Sequence, residues 1–243
     1  MTKNLRVKSS EFIDETSRIS FKFDGKTYYG FKGDTLASAL LANNVHLIGR
    51  SFKYHRPRGI MTSGSEEPNA IVQINPNSNI TEPNARATEI EIYEGLEATS
   101  QNCWPSVNFD IGGINNFLAP FLPAGFYYKT FMWPKSFWEK YEFFIRHSAG
   151  LGKSPTTKDP DIYDHRNIHC DVLVVGAGIS GILAAKNAAK NNYKTLLLDE
   201  KNELGGSTIF ETNENKKIYS IIRIYTHKFF IQIKISFTFL FFF

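Results

Sequence analysis

The sequence predicts two units in series, an α+β domain of the β-grasp type and then the start of an α/β Rossmann-type dinucleotide-binding domain. Three observations predict this. The apolar run Cys170–Val175 passes directly into Gly176-Ala177-Gly178-Ile179-Ser180-Gly181 and then into Ile182-Leu183-Ala184-Ala185, the strand, glycine loop and helix of a βαβ unit. A second apolar strand, Lys194–Leu198, ends in Asp199-Glu200, about twenty residues past the loop, where such a unit carries its ribose carboxylate. Near the N-terminus, two alternating segments flank Asp24-Gly25, a pair suited to a two-residue hairpin turn.

The first unit follows from its elements in order. Ile19–Phe23 and Lys26–Phe31 read as the hairpin strands. Asp34 stands where a helix cap belongs, Leu36, Ala39 and Leu40 share the following helix face, and Asn43-Asn44 end it. Further strands are predicted over Ala70–Ile74 and Ala87–Tyr93, which completes a ferredoxin-like β-grasp pattern. Plant-type ferredoxins hold a [2Fe–2S] cluster with C-x4-C-x2-C and a later cysteine. Here Thr62, Glu67 and Ala70 occupy that spacing, and Cys103 alone marks the later position. One thiolate cannot hold a cluster, so no iron–sulfur cluster and no metal are expected, with Cys103 a free thiol.

In the second unit each glycine has a physical task. Gly176 permits a tight turn, Gly178 admits backbone N–H groups to a pyrophosphate, and Gly181 lets helix and strand approach. The helix N-terminus adds unpaired N–H groups and partial positive charge. Asp199 is the first choice for the ribose and Glu200 the second. Gly205-Gly206 soon afterwards is typical of two-dinucleotide flavoproteins, and Asn192 suits a left-handed turn before the second strand. His165, His169 and Cys170 with Asp161 and Asp164 lack any zinc spacing and read as a polar approach to the strand.

Composition narrows the function classes. The 243 residues carry a net charge of +4 with the cations dispersed, which does not describe a nucleic-acid stripe. The basic and aromatic stretch Arg50–Arg58 suits contact with a nucleotide phosphate or a neighbouring subunit. Two cysteines make no disulfide framework, and residues 1–6 lack the apolar core of a secretory signal, so a cytoplasmic location is expected. The aromatic segment from Phe117 to Arg146 reads as an interdomain or intersubunit surface rather than a flavin cavity. From Ile218 the chain is rich in Ile, Lys and Phe. Cations interrupt it, so no membrane span is expected. It alternates like a strand, with Ile231, Ile233 and Ile235 on one face, yet its low complexity sets it apart from the domain before it. The expected organisation is 1–105 ferredoxin-like, 106–168 aromatic linker, 169–217 partial FAD/NAD(P)-binding Rossmann domain and 218–243 tail, with the nucleotide domain incomplete.

Gly49-Arg50-Ser51-Phe52-Lys53-Tyr54-His55-Arg56-Pro57-Arg58-Gly59, Glu67-Pro68-Asn69-Ala70, Pro123–Phe131, Ala149–Gly152 and His169-Cys170-Asp171 before the glycine loop resemble the alpha subunit of heterotetrameric sarcosine oxidase, continuously from Ile19 to Phe210. The resemblance implies a cluster-free ferredoxin-like domain, a nucleotide domain that holds NAD, and a folate-binding domain. In the complex, with beta, gamma and delta subunits as partners, it implies FAD and FMN, oxidation of sarcosine to glycine, oxygen as electron acceptor and tetrahydrofolate as acceptor of the methyl carbon. By position it places Gly176, Ala177, Gly178, Ser180 and Gly181 on the pyrophosphate. Asp199, Glu200 and Lys201 fall on the adenosine, and Gly205, Gly206 and Ser207 at the inner edge. This chain lacks the folate domain and the rest of the nucleotide domain, so activity by it alone is not expected. Two other readings stay open: an electron-transfer subunit of the opine dehydrogenase or hydrogen cyanide synthase type, whose relatives commonly keep the cluster cysteines, and a non-catalytic interaction protein.

Overall fold

In a computed structural model, residues 5–6, 13–75, 80–121, 133–148, 150–158, 162, 167–199, 204–206 and 233–234 are described. The Asp24-Gly25 pair forms the predicted turn, with φ of 49° and 75°, the left-handed values that a tight hairpin turn matched to strand twist requires. It joins β1 (Asp14–Phe23) to β2 (Lys26–Lys32) antiparallel. Helix α1 (Leu36–Ala42) follows, then β3 (Gly49–Arg50), β4 (Pro57–Arg58), β5 (Ile71–Ile74), β6 (Glu82–Arg86) and β7 (Leu96–Ser100). The main sheet runs β2-β1-β7-β5-β6, with β7 parallel to β1 at its centre, which is the β-grasp order. Its core joins Phe21, Phe23, Val72 and Leu96 of the sheet to Leu36 and Leu40 of the helix, all buried.

Two local expectations change. The cap of α1 is Thr35, whose hydroxyl accepts the Ser38 N–H at 3.2 Å. Asp34 is instead fully buried, accepting from the Phe31 N–H at 2.9 Å and the Ser38 hydroxyl at 2.7 Å and pairing with Arg6. A carboxylate that meets a guanidinium and two further donors gains more there than at a solvated helix end. Thr35→Ala is expected to cost about 1 kcal/mol, read as a lower Tm of the first unit. The second change concerns Ala87–Tyr93. It is a turn with one isolated bridge, Thr35 to Glu91, while the strands lie on either side of it as β6 and β7.

The chain divides into two compact units, Met1–Asp161 and Ile162–Phe243. In the first, α2 (Trp138–Ser148) carries exposed aromatics, Phe144 at 70 %. Residues 122–132 of the aromatic segment lie outside the described residues.

The second unit comprises β8 (Val172–Val175), α3 (Ile179–Lys190), β9 (Thr195–Asp199) and β10 (Ile233–Lys234), all three strands parallel in the order β10-β9-β8. Two residues of the tail therefore join the sheet, although the sequence set the tail apart from this domain. Ile182, Ala185 and Leu197 bury the face under α3. The apolar run at β8 is not buried throughout, since Leu173 and Val175 are 53 % and 73 % exposed. Parallel sheets bury both faces only when helices cover both, and among the described residues one helix packs here. No described helix is long and apolar enough to cross a membrane.

Candidate functional site

The glycine loop is shaped by three positions. Gly176 has φ of 97°, a conformation that costs an L side chain strain. A Cβ on Gly181 would stand 1.9 Å from the Gly176 carbonyl oxygen, so only glycine lets α3 rise this close to the end of β8. A Cβ on Gly178 would meet no atom within 4 Å and would project into open space at the mouth of the helix. Gly178 is the N-cap of α3 and makes no side-chain hydrogen bond. No side-chain cap occupies the first turn, and the partial positive charge of a twelve-residue helix stands behind it.

Asp199 lies at the C-terminal end of β9, beside this loop. Its Oδ2 accepts the Ala177 N–H at 2.5 Å. The strand therefore delivers the carboxylate to the loop although 22 residues separate them in sequence. The Gly205-Gly206 pair closes the far side. The Gly205 N–H donates to the Ala177 carbonyl at 2.8 Å, and Gly205 forms a parallel bridge with Gly178. A Cβ on Gly206 would come within 3.1 Å of the Gly178 Cα. Of the expected site residues, Gly176, Ala177, Gly178, Ser180, Gly181, Asp199, Gly205 and Gly206 are brought together. Glu200, Lys201 and Ser207 lie outside the described residues. The open helix mouth and the adjacent carboxylate suit the pyrophosphate and ribose of a dinucleotide.

In the first unit, Glu67 was identified by spacing alone, and the structure makes it the centre of its loop. The side chain is 1 % exposed. Its Oε2 accepts the N–H groups of Met61 and Thr62, both at 2.7 Å, and its Oε1 those of Asn69 at 2.7 Å and Ala70 at 3.2 Å. Burial pushes this carboxyl upward, but the four backbone donors outweigh it and hold it below the usual carboxylate range. The loop positions 62, 67 and 70 thus converge, around a carboxylate. Cys103 lies 3.4 Å from the Ser100 hydroxyl, and burial pushes its thiol up.

The arrangement defines a class: a β-grasp domain of the iron–sulfur kind followed by a dinucleotide-binding unit of the flavoprotein oxidoreductases. Residues 16–103 match the family described as 2Fe-2S iron-sulfur cluster binding domain, and residues 171–214 match that described as FAD dependent oxidoreductase. Over 208 residues the chain is 54 % identical to sarcosine oxidase subunit alpha of Rhizobium meliloti (strain 1021), covering 85 % of this chain and 21 % of that protein. It is 32 % identical over 197 residues to sarcosine oxidase subunit alpha of Corynebacterium sp. (strain U-96), covering 80 % of this chain and 16 % of that one. The crystal structure of L-proline dehydrogenase from P. horikoshii aligns with a TM-score of 0.48 at 15 % identity, covering 89 % of this chain and 33 % of that chain. The chain is similar to sarcosine oxidase alpha subunits over most of its own length and spans about a sixth to a fifth of theirs.

The first family match overturns the expectation of a chain without an iron–sulfur cluster, because the domain is of a cluster-binding kind. The donor set is a separate matter. Cluster ligation of the plant type takes four thiolates, and Cys103 is the one cysteine within 16–103. The residues present do not fit that ligation. The second match supports a flavin where NAD was expected.

Proposed function

We propose that this chain is the cofactor-binding N-terminal portion of a sarcosine oxidase alpha subunit, and that its glycine loop holds the ADP half of a dinucleotide. The observation that carries the site is the hydrogen bond from the Ala177 N–H to Asp199 beside the open N-terminus of α3. The identity of 54 % to a sarcosine oxidase alpha subunit supports the wider reading.

In this reading the first-turn N–H groups of α3, including that of Ser180, neutralise the pyrophosphate. Asp199 accepts from the ribose hydroxyls while keeping the loop closed through Ala177, and Gly205-Gly206 leave the inner edge free of side chains, next to Ser207. When bound, the dinucleotide supplies two-electron redox chemistry; the chain itself binds, orients and excludes water. The whole complex would oxidise sarcosine to glycine, passing electrons to oxygen and the methyl carbon to tetrahydrofolate, with beta, gamma and delta subunits as partners. The exposed aromatics of α2 suit such a subunit contact.

Calorimetric titration of the full chain with ADP, FAD and NAD tests the site. ADP is expected to compete with whichever dinucleotide binds, and the tighter of FAD and NAD names the cofactor. Asp199→Asn should weaken binding by about 2 kcal/mol, roughly thirtyfold, the worth of a charged hydrogen bond. An unchanged affinity in Asp199→Asn together with a loss in Glu200→Gln would move the ribose contact to Glu200. No competition by ADP would overturn the site.

A further inference from the structure

Gly150-Leu151-Gly152 takes no part in the glycine-loop site. With Lys153 it lies as a strap over Gln73 of β5, Asn84 of β6 and the Gln101-Asn102 pair that follows β7. Among the described residues, three hydrogen bonds hold it to the sheet. The Gln73 Oε1 accepts the Lys153 N–H and the Gln73 Nε2 donates to the Lys153 carbonyl, both at 2.8 Å. One carboxamide thus pairs with one residue in both directions, as a neighbouring strand would. The Gly152 N–H donates to the Asn84 Oδ1 at 3.2 Å. Apolar burial adds little, because Leu151 is 48 % exposed and residues 153–158 are all exposed.

Beneath the strap the balance is the opposite. Gln101 and Asn102 are 8 % and 6 % exposed, yet both amide atoms of Gln101 and the Oδ1 of Asn102 have no hydrogen-bond partner. The strap itself seals them. A Cβ on Gly152 would stand 2.1 Å from the Gln101 Nε2, and one on Gly150 would stand 2.4 Å from the Asn102 Oδ1. Leaving a buried polar atom unpaired costs at least as much as a typical hydrogen bond contributes on balance. Docking therefore makes three bonds that water would otherwise supply, and withholds water from three atoms that gain no partner. A segment with so few buried apolar contacts opens far more readily than the sheet below it.

We propose that segment 150–153 is a releasable strap. It fastens the end of α2 to the β-grasp sheet through Gln73 and Asn84, and the unsatisfied carboxamides of Gln101 and Asn102 hold it near the balance between docked and released. The Gly150 N–H donates to the His147 carbonyl of α2 at 3.2 Å, so release lets the end of that helix, with the exposed Phe143 and Phe144, reorient. The use of that freedom by a partner subunit rests on the reading of α2 as a subunit contact; the release itself does not.

Hydrogen exchange and limited trypsin digestion of the full chain, with no partner present, test the release. The Lys153 N–H, although bonded, should exchange more than about tenfold faster than the ladder-bonded amides of β5. Gln101→Met keeps the length of the side chain and removes both of its unpartnered atoms. It should slow exchange at the Lys153 N–H about tenfold and lower cleavage after Lys153 relative to cleavage after Lys158. Gly152→Ala sets a methyl against the Gln101 and Gln73 carboxamides. It should raise both readouts about tenfold while the Tm of the first unit stays as in the parent. The proposal is overturned if the Lys153 N–H exchanges within about tenfold of the β5 amides, or if Gln101→Met fails to slow it. It is overturned also if Gly152→Ala leaves the strap as protected as in the parent, or opens it only by lowering the Tm of the whole unit, which would make the segment an integral part of the fold.

Discussion

Gly181→Ala is expected to loosen the strand–loop–helix unit and to abolish dinucleotide binding. The added methyl would sit 1.9 Å from the Gly176 carbonyl oxygen, a backbone atom that cannot rotate aside. Relief requires α3 to lift from β8, which opens the contacts of Ile182 and Ala185 with Leu197. Overpacking costs about 1–3 kcal/mol when side chains can adjust, and a backbone neighbour places this variant at about 3 kcal/mol or beyond. Hydrogen exchange at Ala184–Ala188 and an ADP titration would read the two effects together. Gly178→Ala is the control. Its methyl meets no protein atom, so helix protection should stay as in the parent while binding falls. Parent-like protection in Gly181→Ala would refute the close-approach argument.

Glu67→Gln should be the most damaging single change in the first unit. An amide in place of the carboxylate turns one acceptor oxygen into a donor facing two N–H groups, either those of Met61 and Thr62 or those of Asn69 and Ala70. Leaving two buried donors unpaired costs about 1–3 kcal/mol each, so a loss of about 3 kcal/mol or more is expected. The pH dependence has a definite sign. The folded carboxyl lies below its usual range, and the unfolded value is about 4.3. Its stabilisation is therefore complete above the unfolded value and is lost as pH falls through the lower folded one. Urea unfolding should show the parent losing its advantage over Glu67→Gln between neutral pH and strong acid. A constant difference across that range would mean that the charge is not what organises the loop.

Much of the candidate glycine-loop site was legible because its logic is local. The glycine spacing, the strand before it and Asp199 at the end of the next strand are all short-range features of a βαβ start, and geometry brought them together as the spacing implied. The hairpin turn at Asp24-Gly25 was legible for the same reason. What failed was also local in appearance. Asp34 looked like a helix cap, but Arg6 and the burial around it offered that carboxylate better partners, and Thr35 took the cap. Ala87–Tyr93 alternated like a strand, yet it forms the turn that connects β6 to β7.

The sequence by itself determined the order of elements, the glycine loop and the carboxylate that answers it, because these depend on backbone sterics and strand periodicity. Only the tertiary structure decided that Glu67 gathers four backbone N–H groups from two sides of its loop. It alone decided that Gly205-Gly206 closes on Gly178, and that the buried Asp34 finds its partner in Arg6. These are long-range juxtapositions. Residues such as Arg6 and Asp34 lie far apart along the chain, and no periodicity or spacing states which of a polar group's possible partners the folded chain will place within reach.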